Sequence, residues 1–272
     1  MIEQNYLILE DYTMEKLTYE EQTKITRAII KAAVLMLEFG AESKLIEQTA
    51  QRLGYALGVD SVEISLIPSA IVLTTLSNEQ TQSVTTTRRA HHKPINMSIV
   101  CDVQKMTIDV EKNGCCAKHV MQTLKDIQPN YYNSWLIVFM VGLSCASFAY
   151  LYGADWTAFG VTFVASATAM YVRQVLARKK FVLIITFGIT AFVATLISGL
   201  AHIYELSPTT NIALSSSVIL LAPGFPFINS VLDAVKGYLS MGWGRWMQAM
   251  LLTVATSIGI ILAFTVLNLK GW

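Results

Sequence analysis

Ile25, Ile29, Ala32, Ala33, Met36 and Leu37 recur at helical spacing between about Thr18 and Phe39, with Glu, Lys and Arg on the opposite face. This predicts an amphipathic helix that Gly40 stops. The stretch "AESKLIEQTAQRLGYALG" predicts a second one, closed by Gly58. The period then changes. "DSVEISLIPSAIVLTTLS" is rich in Val, Ile and Thr and is interrupted by Pro68, and "QTQSVTTTRR" follows the turn signal Ser77–Asn78. These segments predict three strands of a small antiparallel sheet. After Pro94, "MSIVCDVQKMTIDVEKNGCCAKHVMQTLKDIQ" reads as two further helices. The expectation for 1–133 is an α+β domain.

Beyond it the pattern is almost wholly apolar. Uncharged runs lie between Asp126 and Asp155, Asp155 and Arg173, Lys180 and Glu205, Glu205 and Asp233, and Arg245 and Lys270. Each is long enough to cross a hydrocarbon layer of about 30 Å as a helix. Residues 134–272 are therefore expected to form an all-α, polytopic membrane domain with five transmembrane helices, near 135–152, 156–176, 181–203, 210–232 and 246–268.

Composition sharpens this division. Hydrophobic residues make up 53% of the chain and charged residues only 14%, well below the quarter or so usual in soluble domains. Residues 1–133 carry 13 Lys+Arg and 16 Asp+Glu, whereas 134–272 carry 7 and 3, so the two regions face different solvents. No basic patch suggests nucleic acid. The acidic N-terminus lacks the basic-then-apolar order of a signal peptide, which predicts that the first region stays in the cytoplasm. The loops "YGAD" and "ELSPTT" hold no Lys or Arg. "RQVLARKK" and the segment with Lys236 and Arg245 hold the positive charge. Positive loops stay inside, so the N-terminus is expected in the cytoplasm and the C-terminus outside.

Candidate chemistry concentrates in "LLAPGFPFINSVLDAVKG". Pro223 and Pro226 cannot donate backbone hydrogen bonds. In lipid, the carbonyls so released need protein or water partners. Pro226 suits the first turn of a new half-helix, whose N-terminus could hold a carboxylate. Asn229, Asp233 and Lys236 share one helical face. Two readings stand: a break beside a substrate path, or a helix that ends at the membrane surface. Arg173 either snorkels to the cytoplasmic face or meets an anionic substrate. Thr186, Thr190, Ala194, Ser198 and His202 form a stripe that lines a path or packs helices closely. His202 with Glu205 could relay protons or simply be solvated. Glu42 suits a helix N-terminus.

No GxSxG, HExxH or P-loop is present. No spacing singles out Ser65, Ser69, His91 or His92 for hydrolysis, and the two histidines beside Arg88, Arg89 and Lys93 read as a solvated loop. Cys101, Cys115 and Cys116 have no CxxC spacing and read as small apolar residues. No catalytic, cofactor or metal site is expected.

"FGAESKLIEQTAQRLG", "SAIVLTT", "MVGLSCASF", "ATAMYVRQ", "ISGL" and "PGFPFINSVLDAVKG" together resemble the threonine/serine exporter family, in its YjjP-type inner-membrane branch. The resemblance runs from about Glu20 to the C-terminus. It implies a cytoplasmic domain followed by a five-helix membrane half. It also implies a smaller, YjjB-like membrane subunit as partner, and export of succinate or similar C4-dicarboxylates across the bacterial inner membrane. Glu42, Arg173, Pro223, Gly224, Pro226, Asn229, Asp233 and Gly237 are the positions it marks as important. A threonine/serine exporter is the alternative within the family. A membrane-tethered hydrolase and a sensor or scaffold built on the soluble domain are the alternatives outside it.

Overall fold

The computed structural model describes residues 17–78, 80–91 and 93–269. They divide into two compact units. The first holds the described residues up to Asn130 together with Leu232–Met241, and the second holds Tyr131–Val231 and the described residues from Gly242 on.

In the first unit, α1 spans Tyr19–Glu38. Thr18 starts it with a reciprocal cap: its hydroxyl accepts from the Glu21 N–H, and the Glu21 carboxylate accepts from the Thr18 N–H at 3.0 Å. The stripe Ile25, Ile29, Ala32, Ala33 and Met36 is buried. Helix α2 spans Ser43–Ala56. Strands β1 (Ser61–Ile67), β2 (Ala70–Ser77) and β3 (Gln82–Arg89) form an antiparallel sheet in that order. Ile67 pairs with Ala70 across the first hairpin and Ser77 with Gln82 across the second. Val62, Leu66, Ile71 and Leu73 join the core formed by α1 and α2. Helices α3 (Met97–Asn113) and α4 (Ala117–Asp126) complete that core with Ile99, Val100, Val103, Val120 and Leu124. Gln22 is fully buried, and its amide donates to the Thr75 carbonyl at 2.9 Å and accepts from Gln82. The polar group inside the core is thereby satisfied. The expected helix–helix–sheet–helix–helix order holds throughout.

In the second unit, α5 (Ser134–Leu151), α6 (Trp156–Arg178) and α7 (Leu183–Ile203) follow one another through short turns. Helix α10 runs over Leu239–Leu267. These four are long and apolar enough to cross a membrane. The remaining candidate span, near 210–232, where a break at the prolines is one of two open readings, is a broken pair: α8 (Thr210–Ser217), a tight 3-10 turn at Ile219–Leu221, and α9 (Gly224–Val235), bent by 56°. Counting the pair as one span gives five. The cause is local. Ala222 precedes Pro223 and sits in extended backbone, φ −61° and ψ 119°, because a following proline disfavours the helical region. The last helix also starts earlier than expected, at Leu239 rather than 246, since apolar Trp243, Trp246 and Met247 continue its pattern around Arg245.

Helix α8 packs against α5, α6 and α7. The contacts are made by small residues, among them Ala149, Ala158 and Ala213. Large apolar side chains such as Phe139, Leu143, Ile258, Ile261 and Leu262 point outward, as lipid requires. Asp155 caps α6 through the Thr157 N–H at 3.1 Å and accepts from the Ser207 and Thr209 hydroxyls. Those bonds hold its carboxyl well below the usual carboxylate range. This contribution to stability is present above the ordinary carboxylate pKa and is lost as pH falls toward the depressed value.

Candidate functional site

Two stretches singled out by the sequence meet in the first unit. The Asp233 side chain is fully buried, and its Oδ1 accepts from the Ser43 N–H at 3.0 Å. Ser43 is the first residue of α2, so a carboxylate from 190 positions downstream occupies the positive end of that helix. Glu42 does not cap with its side chain, contrary to expectation. It forms an ion pair with Lys236. The backbone explains the exchange: Glu42 stands at the cap position, where its side chain turns away toward a cation. The Tyr238 hydroxyl adds a contact to the Glu47 carboxylate. Gly237, at φ +92°, reverses the chain after α9 in the left-handed region that glycine tolerates. Helical periodicity and charge patterning do not single out Ser43, Glu47 or Tyr238.

The helix break belongs to the second unit. Pro223 and Gly224 open α9, and Pro226 lies in its first turn. The anion-holding potential of this N-terminus is smaller than expected. Pro226 has no N–H, and the Gly224 N–H is bonded to the Ala222 carbonyl at 2.8 Å. Only Phe225 could offer a donor before Phe227 takes the Pro223 carbonyl. Asn229 and Ser230 are buried one turn further along.

Arg173 lies late in α6, with its guanidinium over the Phe187 ring of α7 at 4.7 Å from the centroid. Among the described residues no carboxylate pairs with it. Thr162, Ser166 and Ala169 are buried on the α6 face that leads to Arg173. Ser166 donates to the Ser217 carbonyl at 3.3 Å, and the Ser198 and Ser217 hydroxyls lie 3.1 Å apart. A hydroxyl cluster shared by α6, α7 and the end of α8 therefore forms just before the break. In the α7 stripe, Thr186, Thr190 and Ser198 donate to carbonyls four residues earlier in their own helix, so most of their hydrogens are spent locally. His202 meets Thr210 at 2.7 Å through its ring Nδ1.

Among the described residues, the candidates Ser65, Ser69 and His91 share no hydrogen bond. The His91 N–H donates to Glu38 at 3.0 Å and Lys93 pairs with the same carboxylate at 2.5 Å, which ties this loop to α1. His92 lies outside the described residues. Cys101, Cys115 and Cys116 are free thiols. Among the described residues no group of His, Cys, Asp and Glu could hold a metal ion.

The family described as "Putative threonine/serine exporter" matches residues 27–267. The chain is 45% identical to the "Probable succinate transporter subunit YjjP" of Escherichia coli, over 93% of this chain and 98% of that one. It is 46% identical to the protein of the same name from Klebsiella aerogenes, over 93% and 97%. It is also 22% identical to a "Probable threonine/serine exporter" of Mycobacterium tuberculosis, over 88% of this chain but only 46% of that longer protein. No solved structure matches.

Proposed function

This chain belongs to the threonine/serine exporter family, and we propose that it is one subunit of a secondary transporter that exports small carboxylates, with succinate or a related C4-dicarboxylate as the first candidate. The observation that carries this reading is Arg173: a cation in an apolar span, resting on an aromatic ring, with no carboxylate partner among the described residues. A permanent charge within a span is costly and marks a functional group. Its guanidinium matches a carboxylate in shape and charge. The names of the two relatives near 45% identity supply the substrate class. Transport by binding and release, without bond chemistry, is the reading favoured over hydrolysis.

A second, smaller membrane subunit, YjjB-like, is proposed as partner. The relatives are named as subunits, and this chain aligns with less than half of the longer mycobacterial exporter. Transporter sites commonly form between two repeats. In liposomes, this chain alone is expected to release no internal succinate, while co-reconstitution with the second subunit restores release. Robust efflux by this chain alone would overturn the two-subunit reading.

The proposed setting is the bacterial inner membrane, with the first unit in the cytoplasm. Leu232–Met241 folds with the residues that precede α5, so both belong on one side. Three spans, α5 to α7, carry the chain away. The bent α8–α9 pair must then bring it back, which favours five crossings and a C-terminus outside. A cytoplasm-dependent reporter is expected to be active after Lys180 and silent after Tyr152, Ser207 or Trp272. Activity at Trp272 would mean an even number of crossings.

A further inference from the structure

The arrangement around α2 gives Asp233 a role that the substrate path does not require. We infer that Asp233 is a positioning residue: its carboxylate serves as the N-terminal anion of α2 and, with the Lys236–Glu42 and Tyr238–Glu47 contacts, clamps the end of α9 to the first unit.

The backbone is built for this. The Tyr238 N–H donates to the Asp233 carbonyl at 2.8 Å and the Gly237 N–H donates to the Ala234 carbonyl at 3.2 Å. With Gly237 at φ +92° this is the paired hydrogen-bond pattern that closes a helix in a left-handed turn. Asp233 thus serves twice. Its carbonyl anchors the turn that ends α9, and its carboxylate Oδ1 takes the first N–H of α2. The same turn delivers Lys236 to Glu42 and Tyr238 to Glu47. A buried carboxylate is expensive unless it is hydrogen-bonded and lies near positive charge, and a helix N-terminus supplies both. Helix α9 is continuous from Gly224 to Val235, so the clamp acts on the same helix that carries Pro226 and Asn229. The charge of Asp233 is engaged by the fold and does not have to meet an anion or carry a proton.

The inference rests on the transporter reading only for its export arm. Hydrogen exchange of the full chain in detergent tests it without export. Asp233→Asn keeps an acceptor oxygen, and asparagine caps helices about as well as aspartate. Exchange across 41–46 should stay within about twofold of the parent, and succinate export with the second subunit should remain at about half or more. Asp233→Ala removes the acceptor and should speed that exchange by about tenfold while lowering export. Tyr238→Phe, which removes only a hydroxyl, should raise exchange at Glu47 and serves if the alanine variant does not accumulate. Loss of export in Asp233→Asn with unchanged exchange would overturn the inference, because the charge itself would then be in use. Unchanged exchange in Asp233→Ala would overturn it equally. A parent chain that exports nothing would sink the transporter reading and leave the exchange result to decide the clamp.

Discussion

Arg173→Gln is expected to stop carboxylate export while leaving the chain inserted at its normal level. The side chain sits on the Phe187 ring and pairs with no carboxylate among the described residues, so the fold loses one cation–π contact, worth about 0.5–2 kcal/mol. A bound carboxylate loses much more. Removing one partner of a desolvated, hydrogen-bonded ion pair costs about 2–5 kcal/mol, which is about 30-fold to several thousandfold in affinity. Arg173→Lys keeps the charge but not the planar fork, and should fall between the two. Efflux from loaded liposomes with the second subunit present, alongside the level of protein in the membrane, separates these outcomes. Wild-type efflux by Arg173→Gln would show that the guanidinium only reaches for the surface, and would remove the main physical support for an anionic substrate.

The uneven legibility of the chain has a physical origin. Local signals are legible because local physics writes them. The Val, Ile and Thr runs and turn signals of β1 to β3, the stripe of α1, and the stops at Gly40 and Gly58 depend on neighbours within a turn or a hairpin. The proline break was legible for the same reason: Pro223 acts on Ala222 and the preceding carbonyls. The role of Asp233 was not. Its helical periodicity placed it with Asn229 and Lys236, but periodicity cannot say what a face meets. The partner is a backbone N–H at Ser43, far away in sequence and carrying no side-chain signature. Glu42 looked like the cap because it stands at the helix start, yet a side chain from elsewhere can take that position when its own backbone leaves the helix end free. The α7 stripe stayed ambiguous because small and hydroxylated residues serve both close packing and polar paths. The structure has local bonds at Thr186 and Thr190 and one interhelical hydroxyl pair, between Ser198 and Ser217.

The pairing of α7 with α10 was also hidden, although Ala255 and Gly259 carry the small-x-x-x-small spacing that permits close approach. A Cβ placed on Gly259 would lie 2.2 Å from the Gly188 carbonyl oxygen and 3.0 Å from the Ala191 Cβ. The first obstacle is backbone and cannot rotate away, so the two helices must separate. Between membrane helices there is no hydrophobic drive to restore the contact, and packing is the main attraction. Overpacking of this kind costs about 1–3 kcal/mol and sometimes more, or about five- to more than a hundredfold in the folded fraction. Gly259→Ala should therefore lower the thermal stability of the detergent-extracted protein markedly, and Gly259→Val should prevent its accumulation. Gly188→Ala meets the Ala255 carbonyl at 3.3 Å, a tight but smaller conflict, and should cost less. Gly160→Ala, in α6, meets nothing within 4 Å. It should be neutral or slightly stabilising, since alanine favours a helix over glycine by about 1 kcal/mol. The order Gly259, Gly188, Gly160 in melting temperature tests the contact without reference to transport. Equal stability of the Gly259 and Gly160 alanine variants would mean that α7 and α10 do not approach at these glycines.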